Sequence, residues 1–144
     1  MTKTIIKNKV IVAASGYFDP IHKGHIEYLE LAKRLGDELI VIVNNDIQAS
    51  LKKGKAFMPQ EERLAIVKSL RCVDQVFLSI DKDASVCKSL EAIKPHIFAK
   101  GGDRHAYEIP ESRVCKKHGI KIIDSLGAKI QSSSDLIAKS KEKY

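Results

Sequence analysis

Short apolar runs alternate along this chain with amphipathic segments, and that alternation restricts the fold more than any other feature. Residues 10–14 (VIVAA) and 39–43 (LIVIV) contain no polar side chain, which is typical of parallel strands covered on both faces. Shorter runs continue the series at 75–78, 96–99 and 120–123. The patterns between them predict helices at 24–35, from Pro59 onward, at 84–93, at 110–118 and at 133–139. We therefore expect an α/β fold, a doubly wound parallel sheet in a single domain over residues 1–144.

The segments that follow the strands are the places to look for a site. In such sheets, ligands bind where the strands end, near the point where the strand order reverses. The loops after the first, second and fourth strands are therefore the candidates. The second of these, residues 44–58, is polar and lysine-rich and is predicted to be a loop with a single helical turn. Gly36 stands where a helix C-cap is expected.

The composition excludes several classes of protein. With 44% hydrophobic and 30% charged residues, the chain can bury a core and does not resemble a disordered segment. Its apolar runs are too short for a membrane span or a secretory signal, so we expect a cytoplasmic protein. Three cysteines without metal-site spacing indicate neither a disulfide framework nor a zinc site. The net charge of +7 predicts an anionic partner, and composition leaves open nucleic acid, a membrane surface or a phosphorylated metabolite.

Two histidines stand at the entrance of the first predicted helix. His22 and His25 are three residues apart, so both imidazoles lie on one side of the helix start. There, free backbone N–H groups and the helix dipole favour an anion. Gly24 permits a phosphate to approach the backbone, and Gly16 and Tyr17 can add main-chain N–H donors. The sequence therefore predicts a phosphate site at this turn.

These residues carry a resemblance to a known family. The chain resembles the cytidylyltransferase-like nucleotidyltransferases at GYFDPIHKGH (16–25), LGD (35–37), NND (44–46), Glu62-Arg63, KGGD (100–103) and the serines at 132–134. The family includes glycerol-3-phosphate cytidylyltransferase, the adenylyltransferase domain of heptose-phosphate bifunctional enzymes, and archaeal FAD synthetase. The KGGD block is more similar to the heptose-phosphate branch. The resemblance implies a Rossmann-like fold and transfer of a nucleoside monophosphate to a phosphorylated acceptor, with pyrophosphate released and Mg²⁺ supplied with the nucleoside triphosphate.

The resemblance also implies roles for individual residues. Catalytic roles fall on His22, His25, Lys53 and Arg63. Contacts to the nucleotide fall on Gly16, Tyr17, Phe18, Gly24, Lys52, Lys55, Gln131, Ser132 and Ser133. Contacts to the acceptor fall on Asp19, Lys100, Gly101, Gly102 and Asp103. No residue is predicted to be a metal ligand.

Some of these assignments leave alternatives open. Lysine ammonium groups can neutralise the departing pyrophosphate, but the sequence does not say which of Lys52, Lys53 and Lys55 does so. Arg63 either contacts phosphate or orders the lysine loop. Asp19 either helps to place the metal or acceptor, or belongs to an ordinary Asp-Pro turn. Tyr17 replaces the threonine or valine that the family has, and the sequence gives no reason for a bulky phenol there.

The expected chemistry needs few groups. The acceptor phosphate is already an anion, so positioning and charge neutralisation suffice and no general base is required. We expect a sugar or polyol phosphate as acceptor and CTP or ATP as donor, with an FAD synthetase-like reaction as the alternative. A non-catalytic nucleotide- or RNA-binding module is the alternative from another class. With 6% aromatic residues and no tryptophan, stacking platforms are scarce, so nucleic acid is not expected as a partner. A membrane is not expected as a partner either. Homodimerisation is expected.

Overall fold

The computed structural model describes residues 9–101 and 109–126 of the chain. In order, the described elements are β1 (Ile11–Gly16), α1 (Lys23–Lys33), β2 (Glu38–Val43), α2 (Asp46–Lys53), α3 (Gln60–Lys68), β3 (Gln75–Leu78), α4 (Cys87–Ile93), β4 (Ile97–Gly101), α5 (Glu111–His118) and β5 (Lys121–Leu126). The strands form one sheet in the order β3-β2-β1-β4-β5, and every pairing is parallel. The predicted α/β class is confirmed.

The two faces of the sheet bury two separate apolar clusters. Along β1, Val12 and Ala14 face one cluster, which also contains Leu29 of α1 and Val67 of α3. Ala13 faces the other, with residues of α4 and α5. Successive side chains of a strand point to opposite faces, so a fully apolar strand is what a sheet with helices on both sides requires. The doubly wound arrangement is therefore confirmed for the described residues.

The strand order reverses direction at β1. The chain moves outward from β1 to β2 and β3, and then returns to place β4 on the other side of β1. The carboxyl ends of β1 and β4 therefore adjoin at the switch point, which is where such sheets bind ligands. A β-bulge between Ala99 and Gly101 lies at this end of β4.

The segment after β2 is more ordered than predicted. Instead of a loop with one turn, an eight-residue helix, α2, spans Asp46–Lys53. Asn45 and Gln48 form a reciprocal capping box, and Gly54 ends the helix in a left-handed conformation with φ 83°. An Asn followed three residues later by Gln, and a later Gly, are sequence signals for such a helix. The polar, lysine-rich composition obscured them.

Two further predictions need correction. The residue at the end of α1 is Arg34 rather than Gly36. A Cβ at Gly36 would lie 2.7 Å from Cγ2 of Val12, so this glycine permits close packing against β1. Helix α4 begins at Cys87 rather than 84, because the N–H and hydroxyl of Ser85 both donate to Oδ1 of Asp83. This local turn competes with the helix. The predicted helix at 133–139 lies outside the described residues.

Candidate active site

A cleft opens at the carboxyl edge of the sheet, beside the switch point. Its volume is about 430 Å³. It is lined by Ser15, Gly16, Tyr17, Asn44, Leu51, Lys52, Ala84, Val86, Lys100 and Glu111. Four residues predicted from the sequence thus share one cleft, namely Gly16, Tyr17, Lys52 and Lys100.

The predicted histidine pair forms the start of α1, and we call residues 22–25 the histidine turn. Nδ1 of His22 accepts the N–H of Gly24 at 3.1 Å, and Nδ1 of His25 accepts the N–H of His22 at 3.1 Å. A backbone N–H can only donate, so both Nδ1 atoms are acceptors and the proton of each neutral ring resides on Nε2. The ring centroids are 3.9 Å apart. The turn therefore presents two adjacent imidazoles with the same tautomer.

One premise about this turn is wrong. Free backbone N–H groups were expected at the helix start, but the N–H of Gly24 donates to His22 and that of His25 donates to the His22 carbonyl. The histidines themselves cap the helix, so they use these donors. In this tautomer the donor that each imidazole offers is its Nε2–H group. A Cβ at Gly24 would lie 3.0 Å from the His22 ring, which accounts for the glycine between the histidines.

The buried ring of Phe18 packs against the histidine turn. Phe18 is 1% exposed and has a φ of 52°, an uncommon conformation for a residue with a large side chain. Its ring makes an edge contact with the His25 ring at a centroid distance of 5.1 Å. A Cβ at Gly16 would lie 2.8 Å from the same ring. Phe18 and Gly16 thus shape the support of the histidines.

Lys52 and Tyr17 meet across the cleft. The Nζ of Lys52 lies 4.5 Å from the centroid of the Tyr17 ring, which is a cation–π geometry. Burial raises the pKa of Tyr17, so its phenol stays protonated and adds no negative charge. The ring holds the ammonium group at the cleft, and this explains the aromatic residue that the sequence left unexplained.

Asp19 fixes the end of what we call the lysine segment, residues 52–58. Its carboxylate is buried and accepts the N–H groups of Phe57 at 2.8 Å and Met58 at 2.7 Å. Both oxygens are therefore engaged by the protein itself. Lys55 lies within this segment and is exposed, whereas Lys53 ends α2 with a side chain outside the described part of the structure.

Arg63 binds several backbone segments together from the first turn of α3. Its side chain has no solvent exposure. Its guanidinium donates to the carbonyls of Met58, Tyr17 and Asn44, and to Oδ1 of Asp46, at 2.6 to 2.9 Å. Four of its five N–H groups are thus used within the protein. This geometry matches the ordering role among the two that the sequence left open.

The end of β4 supplies two further predicted residues, Lys100 and Gly101. The Nζ of Lys100 lies 5.8 Å from the Phe98 ring centroid, and Lys100 lines the cleft. A Cβ at Gly101 would approach the Tyr28 ring to 3.1 Å. Five predicted site residues, Gly102, Asp103, Gln131, Ser132 and Ser133, lie outside the described residues.

Sequence reasoning missed Tyr28, which joins the two strands at the switch point. Its hydroxyl donates to the carbonyl of Ala99 at 2.5 Å and accepts the N–H of Ser15 at 3.2 Å. Burial raises the pKa of Tyr28 above its usual range, so the hydroxyl remains a donor. Its position on the inner face of the first predicted helix was the available signal, since a tyrosine there needs a partner for its hydroxyl.

A buried amide network, also missed, holds α2 in place. The side-chain amide of Asn45 donates to the carbonyls of Ser79 and Asp81, and that of Gln48 donates to those of Asp83 and Ser85. These bonds join α2 to the loop after β3. They bring Lys52 and the cleft wall formed by Ala84 and Val86 into one unit.

The described residues contain neither a cluster of metal-ligating side chains nor a membrane-spanning helix. Within ranges 9–101 and 109–126, no three His, Cys, Asp or Glu side chains group as a metal site. None of the helices in those ranges is long and apolar enough to cross a bilayer.

A parallel sheet with paired imidazoles and lysines around its switch point defines a nucleotide-binding α/β protein that handles phosphates. The family model described as cytidylyltransferase-like matches residues 13–138, and the chain belongs to this family. It is thereby a nucleotidyltransferase, as the resemblance implied.

Named relatives and a solved structure agree with this membership. An FAD synthase from Ferroglobus placidus is 42% identical over 110 residues, which cover 76% of this chain and 70% of that protein. A bifunctional protein HldE from Streptomyces coelicolor is 35% identical over 136 residues, covering 92% of this chain and 28% of that protein. The crystal structure of a lipopolysaccharide core biosynthesis protein from Thermoplasma volcanium matches with a TM-score of 0.70 and 31% identity, over 82% of this chain and 97% of that one.

Proposed function

We propose that this protein transfers AMP from ATP to a phosphorylated acceptor that carries a polyol, and that pyrophosphate is released. The observation that carries the proposal is the histidine turn, where two adjacent imidazoles share one tautomer. Similarity to proteins named FAD synthase supports ATP as donor and FMN as the first acceptor to test. Similarity to HldE proteins supports a sugar phosphate as the second.

The reaction is an in-line displacement at the α-phosphorus. An oxygen of the acceptor phosphate forms a bond to that phosphorus, while the bond to the bridging oxygen breaks and pyrophosphate leaves with the electron pair. The Nε2–H groups of His22 and His25 donate to α-phosphate oxygens, where negative charge shifts in the transition state. Lys52 and Lys100 neutralise phosphate charge at the cleft. Arg63 and Asp19 are positioning residues that hold the lysine segment.

The magnesium ion belongs to the substrate in this proposal. Mg²⁺ prefers oxygen ligands and keeps several waters in phosphate complexes. The carboxylate of Asp19 already accepts two backbone N–H groups. We therefore propose that the ion enters the site bound to the triphosphate and is not held by a set of protein ligands.

The test is a pyrophosphate-release screen with Mg²⁺. It crosses ATP, CTP, GTP and UTP with FMN, sugar 1-phosphates and glycerol 3-phosphate. We expect turnover with ATP and either FMN or a sugar phosphate. If no pair of substrates releases pyrophosphate, the proposal is overturned. Turnover with CTP alone would overturn the choice of donor.

The His25→Ala variant tests whether the histidine turn takes part in the reaction. Loss of one transition-state donor is expected to lower kcat about a hundredfold, while the lost helix cap lowers the free energy of unfolding by about 1 kcal/mol. His118→Ala is the matched control, because His118 lies at the end of α5 beside Glu91. A His25 variant that keeps the wild-type kcat would exclude this imidazole from the reaction.

Membership of a nucleotidyltransferase family counts against the alternative of a non-catalytic RNA-binding module. That alternative predicts RNA affinity that falls steeply with salt and no triphosphate-dependent turnover. A cytoplasmic homodimer is also proposed, from the family resemblance and the prevalence of twofold oligomers. Sedimentation of the purified chain tests the dimer.

A further inference from the structure

One acidic side chain lines the cleft among the lysines. Glu111 begins α5, is 4% exposed and lines the same cleft as Lys52 and Lys100. Its Oε2 accepts the N–H of Val86 at 2.9 Å. Its Oε1 is buried and has no hydrogen-bond partner among the residues that the structure describes.

A buried carboxylate oxygen without a partner is costly. Burial removes its hydration, and only a donor restores the lost hydrogen bond. A phosphate oxygen cannot serve, because it is itself an acceptor and carries the same sign of charge. A hydroxyl group can donate to Oε1, and its phosphate neighbour on the same molecule can meet Lys100 or Lys52.

We propose that Oε1 of Glu111 accepts a hydrogen bond from a hydroxyl of the acceptor's polyol and so selects phosphates that carry one. This inference rests on the proposed function and names the feature of the acceptor that the site reads. FMN and sugar 1-phosphates share it, since both carry a hydroxyl on the carbon adjacent to the phosphate-bearing one. Glu111 is thus a specificity-determining residue on the wall of the cleft formed with Val86.

Direct binding tests this without turnover. Calorimetric titrations compare FMN with 4′-deoxy-FMN, and glucose 1-phosphate with its 2-deoxy form, in wild type and Glu111→Gln. Glutamine keeps an oxygen for Val86 but offers an amide where Oε1 stood. The wild type is expected to bind at least one hydroxyl-bearing phosphate about tenfold to a hundredfold more tightly than its deoxy form. The variant is expected to lose that preference and keep wild-type affinity for ATP.

Glu91→Gln is the matched control, because Glu91 lies on α4 and pairs with His118 outside the cleft. It is expected to retain the hydroxyl preference. The inference is overturned if wild type shows no hydroxyl preference, or if Glu111→Gln weakens ATP and acceptor binding equally. A wild type without a hydroxyl preference overturns the inference even where the variant fails to fold.

The outcomes separate this inference from the proposed function. Hydroxyl-dependent binding that Glu111→Gln abolishes, without pyrophosphate release by the wild type, would refute the reaction and support the role of Glu111. Pyrophosphate release with an unchanged KM for the acceptor in Glu111→Gln would support the reaction and refute the role of Glu111.

Discussion

The histidine turn and the lysine segment lie at the same edge of the sheet but are built in opposite ways. The histidine turn is local: His22 and His25 cap their own helix through residues three positions apart. The lysine segment is held from a distance, since Asp19 accepts the N–H of Met58 across 39 positions. Arg63, which donates to the Met58 carbonyl, also reaches Tyr17 across 46 positions. One half of the site thus depends on adjacent residues, and the other half depends on the completed fold.

This difference separates two kinds of failure. A change in the histidine turn removes a chemical group and leaves the fold nearly intact. A change in the network around the lysine segment removes structure first, and activity falls because lysines lose their positions.

The largest effect is expected for Arg63→Ala. It leaves three carbonyls, one of them in a fully buried setting, and Asp46 without their donor, so the free energy of unfolding should fall by about 3 kcal/mol or more. Urea denaturation measures it. Arg63→Lys should lose less stability than Arg63→Ala. It should raise the KM for ATP more than it lowers kcat, because one ammonium group cannot replace the planar guanidinium and its hydrogen bonds. Lys68→Ala, which removes an exposed charge from the same helix, is the control. A loss below about 0.5 kcal/mol is the size expected of a surface substitution. It would show that the lysine segment does not depend on the hydrogen bonds of Arg63.

Asp19→Asn is expected to have the next largest effect. An amide offers one acceptor oxygen in place of two, so either Phe57 or Met58 loses its partner. We expect a loss of about 2 kcal/mol in stability and a higher KM for ATP. Asp37→Asn is the control, since Asp37 also accepts a backbone N–H, from Val10, at the opposite edge. Equal changes in KM for both variants would contradict the assigned role of Asp19.

Tyr17→Leu should act more mildly. Loss of the ring removes about 0.5–1 kcal/mol of cation–π attraction for Lys52, so the KM for ATP should rise a few fold. Tyr17→Phe keeps the ring and is expected to match the wild type. If phenylalanine behaves as leucine does, the hydroxyl matters and the ring is not the relevant group.

The smallest effect is expected far from the site. Partial burial acts to raise the pKa of Asp74, but hydrogen bonds from Lys33 and the N–H of Leu39 outweigh it and hold the pKa below its usual value. A lowered pKa means that this contribution to stability is present above about pH 4 and is lost as the pH falls through the folded-state pKa. The difference in stability between wild type and Asp74→Asn, below about 1 kcal/mol, should therefore shrink on acidification from about pH 6 to about pH 3. Activity should not change. A difference that grows on acidification would contradict this sign.

The same contrast explains how far the sequence could lead. Apolar strands and the HKGH motif are local patterns, so the sheet, its helices and the histidine pair could be predicted from adjacent residues. Asn45, Gln48 and Gly54 signal the helix after β2, but the polar, lysine-rich composition of the same segment indicates a loop. The partners of Arg63 and the bond between Tyr28 and Ala99 could not be predicted, since they join residues distant in the chain.

The hydroxyl of Tyr28 has a consequence for movement within the molecule. It links the end of β1 to the end of β4 by hydrogen bonds. Its raised pKa keeps the hydroxyl protonated well into the alkaline range. The two strands are therefore tied together at this end by a side chain as well as by their own backbone pairing. Widening the cleft between them would have to break the bond from Tyr28 to Ala99 or the bond from Ser15 to Tyr28.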